Sequence, residues 1–336
     1  MSVLDQIVAS LHASRGIAHK RDIASVLPNL LPPGVNHDTQ GGGVLVGDDC
    51  AALPDRDGWL LFAIEGFLNE FVQADPFFAG YCGVMVNVSD IFAMGGRPLA
   101  VVDALWSRDH QHARPVLDGL RTAAHIYGTP IVGGHSNTRN DREQLSVAVL
   151  GRASRLMTSF DAHPGDVLLI AVDLRGRYRE PFSNWDASTG AEASRLRADL
   201  DLLPGIAEDG LCAAAKDISQ AGVIGTTMML LECSGVGAFI DVNAVPRPAH
   251  VAAERWLIST FPSYGFVLAV AEPSLKAVCD RFDARGIACA PVGRCDDSGI
   301  VRLREGVNER IAWDFRQQEL IGCGPRLPGR TETAHA

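Results

Sequence analysis

The sequence lacks every familiar glycine-rich phosphate loop and every common hydrolase signature. It contains no GxxxxGK[S/T], no GxGxxG, no HExxH and no GxSxG. A nucleotide, if one is used, is therefore held by other means. No run of 18 apolar residues occurs, so no transmembrane helix is predicted. The first 15 residues lack a basic patch followed by an apolar stretch, so no secretory signal is expected. No Lys/Arg cluster is present and the net charge is −10, which argues against binding a nucleic-acid backbone. The eight cysteines form no CxxC pair, and the nearest two, Cys289 and Cys295, lack a zinc-type spacing. Together these absences predict a reduced, cytoplasmic protein without a disulfide framework, a metal cluster or a membrane partner.

What is present fits a globular, soluble chain: 47% apolar and 21% charged residues over a length of 336. That length exceeds one small core and fits two domains. Residues 3–31 read as helix followed by loop, and 44–46 and 60–64 as short strands. A helix is expected over 80–94, closed by Gly95, Gly96 and Pro98. Strands follow at 99–105, 131–132 and 145–150, with a helix over 113–127. This alternation makes an α/β domain spanning 1–155. A second α/β domain spans 156–325, opening with a strand at 167–172. Within it 173–190 is expected as a mobile loop, 207–215 and 223–233 as helices, and 266–270 as a strand. Residues 326–336 are expected to form a disordered tail.

Five segments carry chemistry. Gly47-Asp48-Asp49 places adjacent carboxylates beside an apolar strand. These suit a Mg²⁺ ligand, since acidic neighbours repel without a cation, and equally suit a turn. Glu65 follows an apolar strand directly. Asn87 and Asp90 lie three apart, and so share a face, in a helix otherwise apolar on most sides. A buried acid there needs a metal or a hydrogen-bond partner. Gly133-Gly134-His135-Ser136 reads as a glycine turn able to present N–H groups to an anion. Asp217, in Lys216-Asp217-Ile218-Ser219-Gln220, is a metal ligand or a helix N-cap.

In this order the segments resemble the PurM-like superfamily: aminoimidazole ribonucleotide synthetase, thiamine-monophosphate kinase, the hydrogenase maturation factor HypE and selenophosphate synthetase. The resemblance runs over about residues 40–300 and is most specific at Ser89-Asp90-Ile91-Phe92-Ala93-Met94-Gly95-Gly96-Arg97-Pro98. It is nearest to selenophosphate synthetase. It implies two α/β domains and a homodimer formed through the N-terminal domains, whose strands make a shared barrel. It also implies Mg-ATP-dependent phosphoryl transfer to, or activation of, a small molecule. By position it makes Asp49, Asp90 and Asp217 metal ligands, with Asp90 touching ATP as well. Asp48, Glu65, Asn87, Gly133, Gly134 and His135 become nucleotide contacts. Lys20 reaches the phosphates from a mobile N-terminal segment. Two departures stand out. Glu65 replaces an aspartate, and 16–19 carries no thiol or selenol before Lys20, so selenide activation is not expected. A non-catalytic nucleotide sensor or scaffold of the same fold is the alternative.

Overall fold

A computed structural model describes residues 2–30 and 44–325. The expected tail at 326–336 lies outside them. The chain divides into two compact units, and the division is not the contiguous one expected. One unit joins Met1–Asp48, Met157–Ala187 and Asp209–Ala336; the other joins Asp49–Leu156 and Ser188–Glu208. The chain opens in the first unit with helices α1 (Val3–Ala13) and α2 (Arg15–Leu30). Ser2 caps α1: its Oγ accepts from the Asp5 N–H and its own N–H donates to the Asp5 carboxylate.

The second unit follows with β1 (Ala51–Asp55), β2 (Gly58–Phe67), α3 (Asn69–Ala74) and α4 (Pro76–Ala93). It continues with β3 (Arg97–Trp106), α5 (His110–Tyr127), β4 (Ile131–Asn137) and β5 (Gln144–Ala153). The strands form a sheet in the order β1-β2-β5-β3-β4, with only the β3/β4 pair parallel. The expected strand at 44–46 is instead irregular chain and a turn, and pairing begins at Ala51. Glycine and two acids after Val46 favour a turn over an extended run.

Residues alternate across this sheet as the pleat requires. Leu61, Ala63, Val101, Leu105, Val147 and Val149 point inward and are buried. Helix α4 lies on that inner face and packs on α5 at two glycines. A Cβ on Gly80 would strike the Val116 carbonyl, and one on Gly119 the Phe77 carbonyl. Every α4 residue from Phe78 to Ala93 is buried. The helix has 18 residues and a mean hydropathy of 1.2, enough by length and composition to cross a membrane. Its burial inside this unit makes it a core helix.

Further along, α6 (Ala193–Leu200) and α7 (Leu202–Glu208) belong to the same unit. Arg97 pairs with Asp201 and Glu208 there. The helix expected over 207–215 ends at Glu208, and Ala214 already starts a strand. Gly210, with φ of 67°, breaks the helix.

The remaining elements belong to the first unit. They are β6 (Val167–Val172), β7 (Arg177–Tyr178), β8 (Asn184–Asp186), β9 (Ala214–Asp217), α8 (Gly222–Ser234) and β10 (Gly237–Asp241). After them come α9 (Ala253–Ile258), β11 (Phe261–Pro262), β12 (Gly265–Val270), α10 (Leu275–Asp283), β13 (Ala288–Asp296), β14 (Ile300–Glu305) and β15 (Asn308–Asp314). A seven-stranded sheet runs β15-β14-β10-β13-β6-β12-β9. Strands β6 and β12 are buried at every residue, as continuous apolar runs predict. Helices α1, α2 and α8 contribute Leu4, Ile7, Ile17, Ile224 and Met228 to the same core.

The segment 173–190 is ordered rather than mobile. Strands β7 and β8 pair with each other, and β11 pairs with β8. Trp185 is 1% exposed and donates from Nε1 to the Asp173 carbonyl at 3.0 Å. Arg175 forks onto the Asp173 carboxylate at 2.7 and 3.0 Å. Aperiodic polar sequence concealed one buried tryptophan that fixes the segment.

Candidate functional site

Two groups of site residues can be built, one in each unit. In the second unit α4 sets Asn87 and Asp90 on one face, and both are buried, at 0% and 5% exposure. The Asn87 amide nitrogen donates to the Gly83 carbonyl at 2.8 Å, a bond within its own helix. The Asn87 Oδ1 atom is buried without a hydrogen-bond partner among the described residues. Such an atom carries an unrecovered desolvation cost of about 1–3 kcal/mol until a donor or a cation meets it. Asp49 stands just before β1, and a carboxylate oxygen of Asp49 lies within 4.8 Å of one of Asp90. Two carboxylates this close repel unless a cation or a proton intervenes. Hard oxygen donors of this kind suit Mg²⁺.

Glu65 lies half-buried on the inner face of β2, directly across from Val147 of β5. Gly133, Gly134 and His135 form no turn: β4 carries on through them to Asn137, and all are exposed. His135 packs its ring 5.7 Å from that of Trp106. Gly134 has a local structural reason, since a Cβ there would lie 2.6 Å from Asp103 Oδ1 and 2.7 Å from the Asp103 carbonyl oxygen. Asp103 escaped the sequence reading. It shares the inward parity of Val101 and Leu105 on β3, and its Oδ2 is buried without a hydrogen-bond partner among the described residues. Burial pushes its pKa above the usual carboxylate value. An acid at an inward position of an apolar strand is the signal that would have found it.

In the first unit Lys20 sits half-buried on α2 rather than on a mobile segment. Asp48, expected as a nucleotide contact, is held by partners within its own unit. Its carboxylate accepts from the Ser159 N–H at 2.7 Å and the Ser159 hydroxyl at 2.6 Å, and Lys216 Nζ lies 3.9 Å away. The Asp48 side chain is fully buried, and Lys216 is 5% exposed. These partners tie the 47–48 turn to the second strand region of its own unit, so Asp48 acts as an anchor. Ser159 and Lys216 were not foreseen. Asp217 ends β9 opposite Phe266 and is 4% exposed. It is not a helix cap, since the N-cap of α8 is Ala221 and no side chain caps it.

Comparison with known proteins identifies the family. The profile of AIR synthase related protein, N-terminal domain, matches residues 47–153, and that of the C-terminal domain matches 173–305. The chain belongs to the AIR synthase-related family. The family fold is the two-domain PurM-like α/β fold anticipated from the sequence. Among relatives, this chain is 42% identical over 322 residues to the uncharacterized protein sll0787 of Synechocystis sp., covering 95% of this chain and 98% of that one. It is 24% identical over 294 residues to the selenide, water dikinase of Aeromonas salmonicida, covering 81% and 83%. Among solved structures, PurL of T. maritima complexed with ATP shares the fold, with a TM-score of 0.73 at 18% identity. That match covers 97% of this AIR synthase-related chain but only 53% of the PurL chain.

Proposed function

We propose that this chain binds Mg-ATP and transfers a phosphoryl group to, or thereby activates, a small molecule. The observation that carries the reading is the approach of the Asp49 and Asp90 carboxylates within 4.8 Å, with Asp90 buried in an apolar helix. Asn87, three residues earlier on α4, has a buried Oδ1 with no hydrogen-bond partner among the described residues, and a nucleotide or a cation would supply one. A protein of the same fold, PurL of T. maritima, was captured with ATP, and this chain is similar in sequence to a protein named as a dikinase.

In this reading Asp49 and Asp90 hold Mg²⁺, and Asp217 serves as a further ligand. Bound Mg²⁺ would neutralise charge on the phosphate oxygens. Lys20 positions the phosphates, and Asn87, Glu65, Gly133, Gly134 and His135 contact the nucleotide. Asp48 instead fixes the turn that presents Asp49. Catalysis by such residues rests on orientation and electrostatics, so no strong base is required. The acceptor supplies an oxygen or nitrogen nucleophile. A nucleotide sensor that binds without turnover is the second reading, favoured by the absence of a thiol at 16–19 and by Glu65 in place of an aspartate. Release of ADP or AMP in the presence of candidate metabolites separates the two.

Two copies are proposed to pair through the outer face of the five-stranded sheet. Phe62, Ile64, Val102 and Leu150 leave it apolar, with exposures of 51%, 66%, 40% and 38%. The decisive experiment for the site is calorimetry on Asp90→Ala. Mg-ATP affinity should fall by roughly a hundredfold, the upper range for disturbing a metal site, while circular dichroism is unchanged. Unaltered affinity would overturn the assignment.

A further inference from the structure

We propose that the segment 320–325 is a strap that positions the phosphate-binding residues, with Glu232 as its latch. The inference rests on the Mg-ATP reading for its functional consequence, but the strap's contacts stand independently. Glu232, near the end of α8 and 8% exposed, receives three backbone N–H groups with its carboxylate. They come from Leu320 at 2.8 Å, Ile321 at 2.7 Å and Gly322 at 3.4 Å. A buried carboxylate with three backbone donors is a strong, geometry-specific anchor.

From that anchor the strap reaches two segments that carry candidate site residues. Gly322 presses on α2, where a Cβ at 322 would lie 3.2 Å from the Ala24 methyl. Ala24 is one helical turn from Lys20, on the same face. Next, Cys323 sits against Gly47: a Cβ on Gly47 would collide with the Cys323 Sγ and Cβ, and Gly47 has a φ of 121°. Gly47 leads directly into Asp48 and Asp49. The strap is held tightly along its length. Leu320, Ile321 and Cys323 are buried, and a Cβ on Gly324 would strike the Glu232 carbonyl. One short segment therefore fixes α2 behind Lys20 and the turn before Asp49, and Glu232 fixes the segment. Glu232 is a positioning residue, remote from the reacting atoms.

Thermodynamic linkage gives the test. If the strap positions residues that bind nucleotide, nucleotide must in turn stabilise the strap. Hydrogen exchange is followed by mass spectrometry on the full chain, wild type and Glu232→Ala, with and without Mg-ATP. Without nucleotide, Glu232→Ala should speed exchange roughly tenfold or more at 320–322, and also at 20–24 and 47–48, while β6 and β12 keep their protection. Mg-ATP should slow exchange at 320–322 in the wild type, and its Kd should rise about tenfold in Glu232→Ala. Exchange that changes only at 320–322, with an unaltered Kd, overturns the proposal. If Glu232→Ala loses protection in β6 and β12, the wild-type response to Mg-ATP decides: no slowing at 320–322 when nucleotide is bound overturns it. If the wild type binds no Mg-ATP, the functional reading fails, and coupling of the strap to 20–24 and 47–48 is judged on the nucleotide-free exchange alone.

Discussion

Asp90 and Asp103 are both acids set among apolar neighbours, and their surroundings give them different tasks. Asp90 has a second carboxylate within 4.8 Å, which suits a bound cation. Asp103 has Gly134 and Val147 beside it on the sheet and a buried oxygen with no partner among the described residues. Burial raises its pKa, so folding favours its protonated form. The sign follows from linkage: the native state binds the proton more tightly than the unfolded chain. Stability is undiminished well below the unfolded value near 3.8 and falls as pH rises through the raised folded pKa. Asp103→Asn should therefore raise Tm at pH 7, and the gain should shrink to nothing as pH drops below 3.8. Thermal melts of both proteins across that range provide the check, and a gain that is flat with pH contradicts the account. Asp90 was legible because its helix is apolar nearly all round. The partners of Asp48 were not legible, because a sequence cannot show that Ser159, 111 residues away, meets both of its carboxylate oxygens.

At the scale of elements, period and composition located what they could control. The buried strand at 167–172 has the limits read from its apolar run, and the helices over 80–94 and 113–127 are found at Pro76–Ala93 and His110–Tyr127. Elements fixed by distant contacts were not visible. Strand β4 runs on through Gly133 and Gly134 because β3 pairs with it residue by residue, overriding the turn tendency of two glycines. Segment 173–190 is held by Trp185, whose ring meets Trp256 and Tyr178 edge-on at 5.3 and 5.2 Å. Trp185→Ala should cost about 3–5 kcal/mol, the usual range for emptying a buried tryptophan site. Chemical denaturation reads that loss directly. A change under about 1 kcal/mol, typical of a surface position, would mean that the segment carries little of the fold.

For the molecule as a whole, the unit boundaries were the least legible feature. A linear reading divides the chain once, near residue 155, whereas 1–48 and 188–208 each join the unit distant from them in sequence. Helix α1 reveals why: its apolar face is buried with residues of the seven-stranded sheet, among them Val301 and Leu303 of β14. The outer face of the five-stranded sheet carries a prediction of its own. Ile64→Asp places a charge on each copy at the proposed contact, so light scattering at micromolar concentration should find a dimer in the wild type and a monomer in the variant. A wild-type monomer would contradict the pairing. The acidic balance of the chain, −10 overall, makes a metal requirement the sharpest consequence of the proposed Mg-ATP reading. In that reading, ATP without a divalent cation would meet a site built from carboxylates. Titration calorimetry of the full chain with ATP, in Mg²⁺ and then in excess EDTA, tests the central claim most directly. The account predicts binding in Mg²⁺ and none in EDTA; equal affinity in both, or no binding in either, contradicts it.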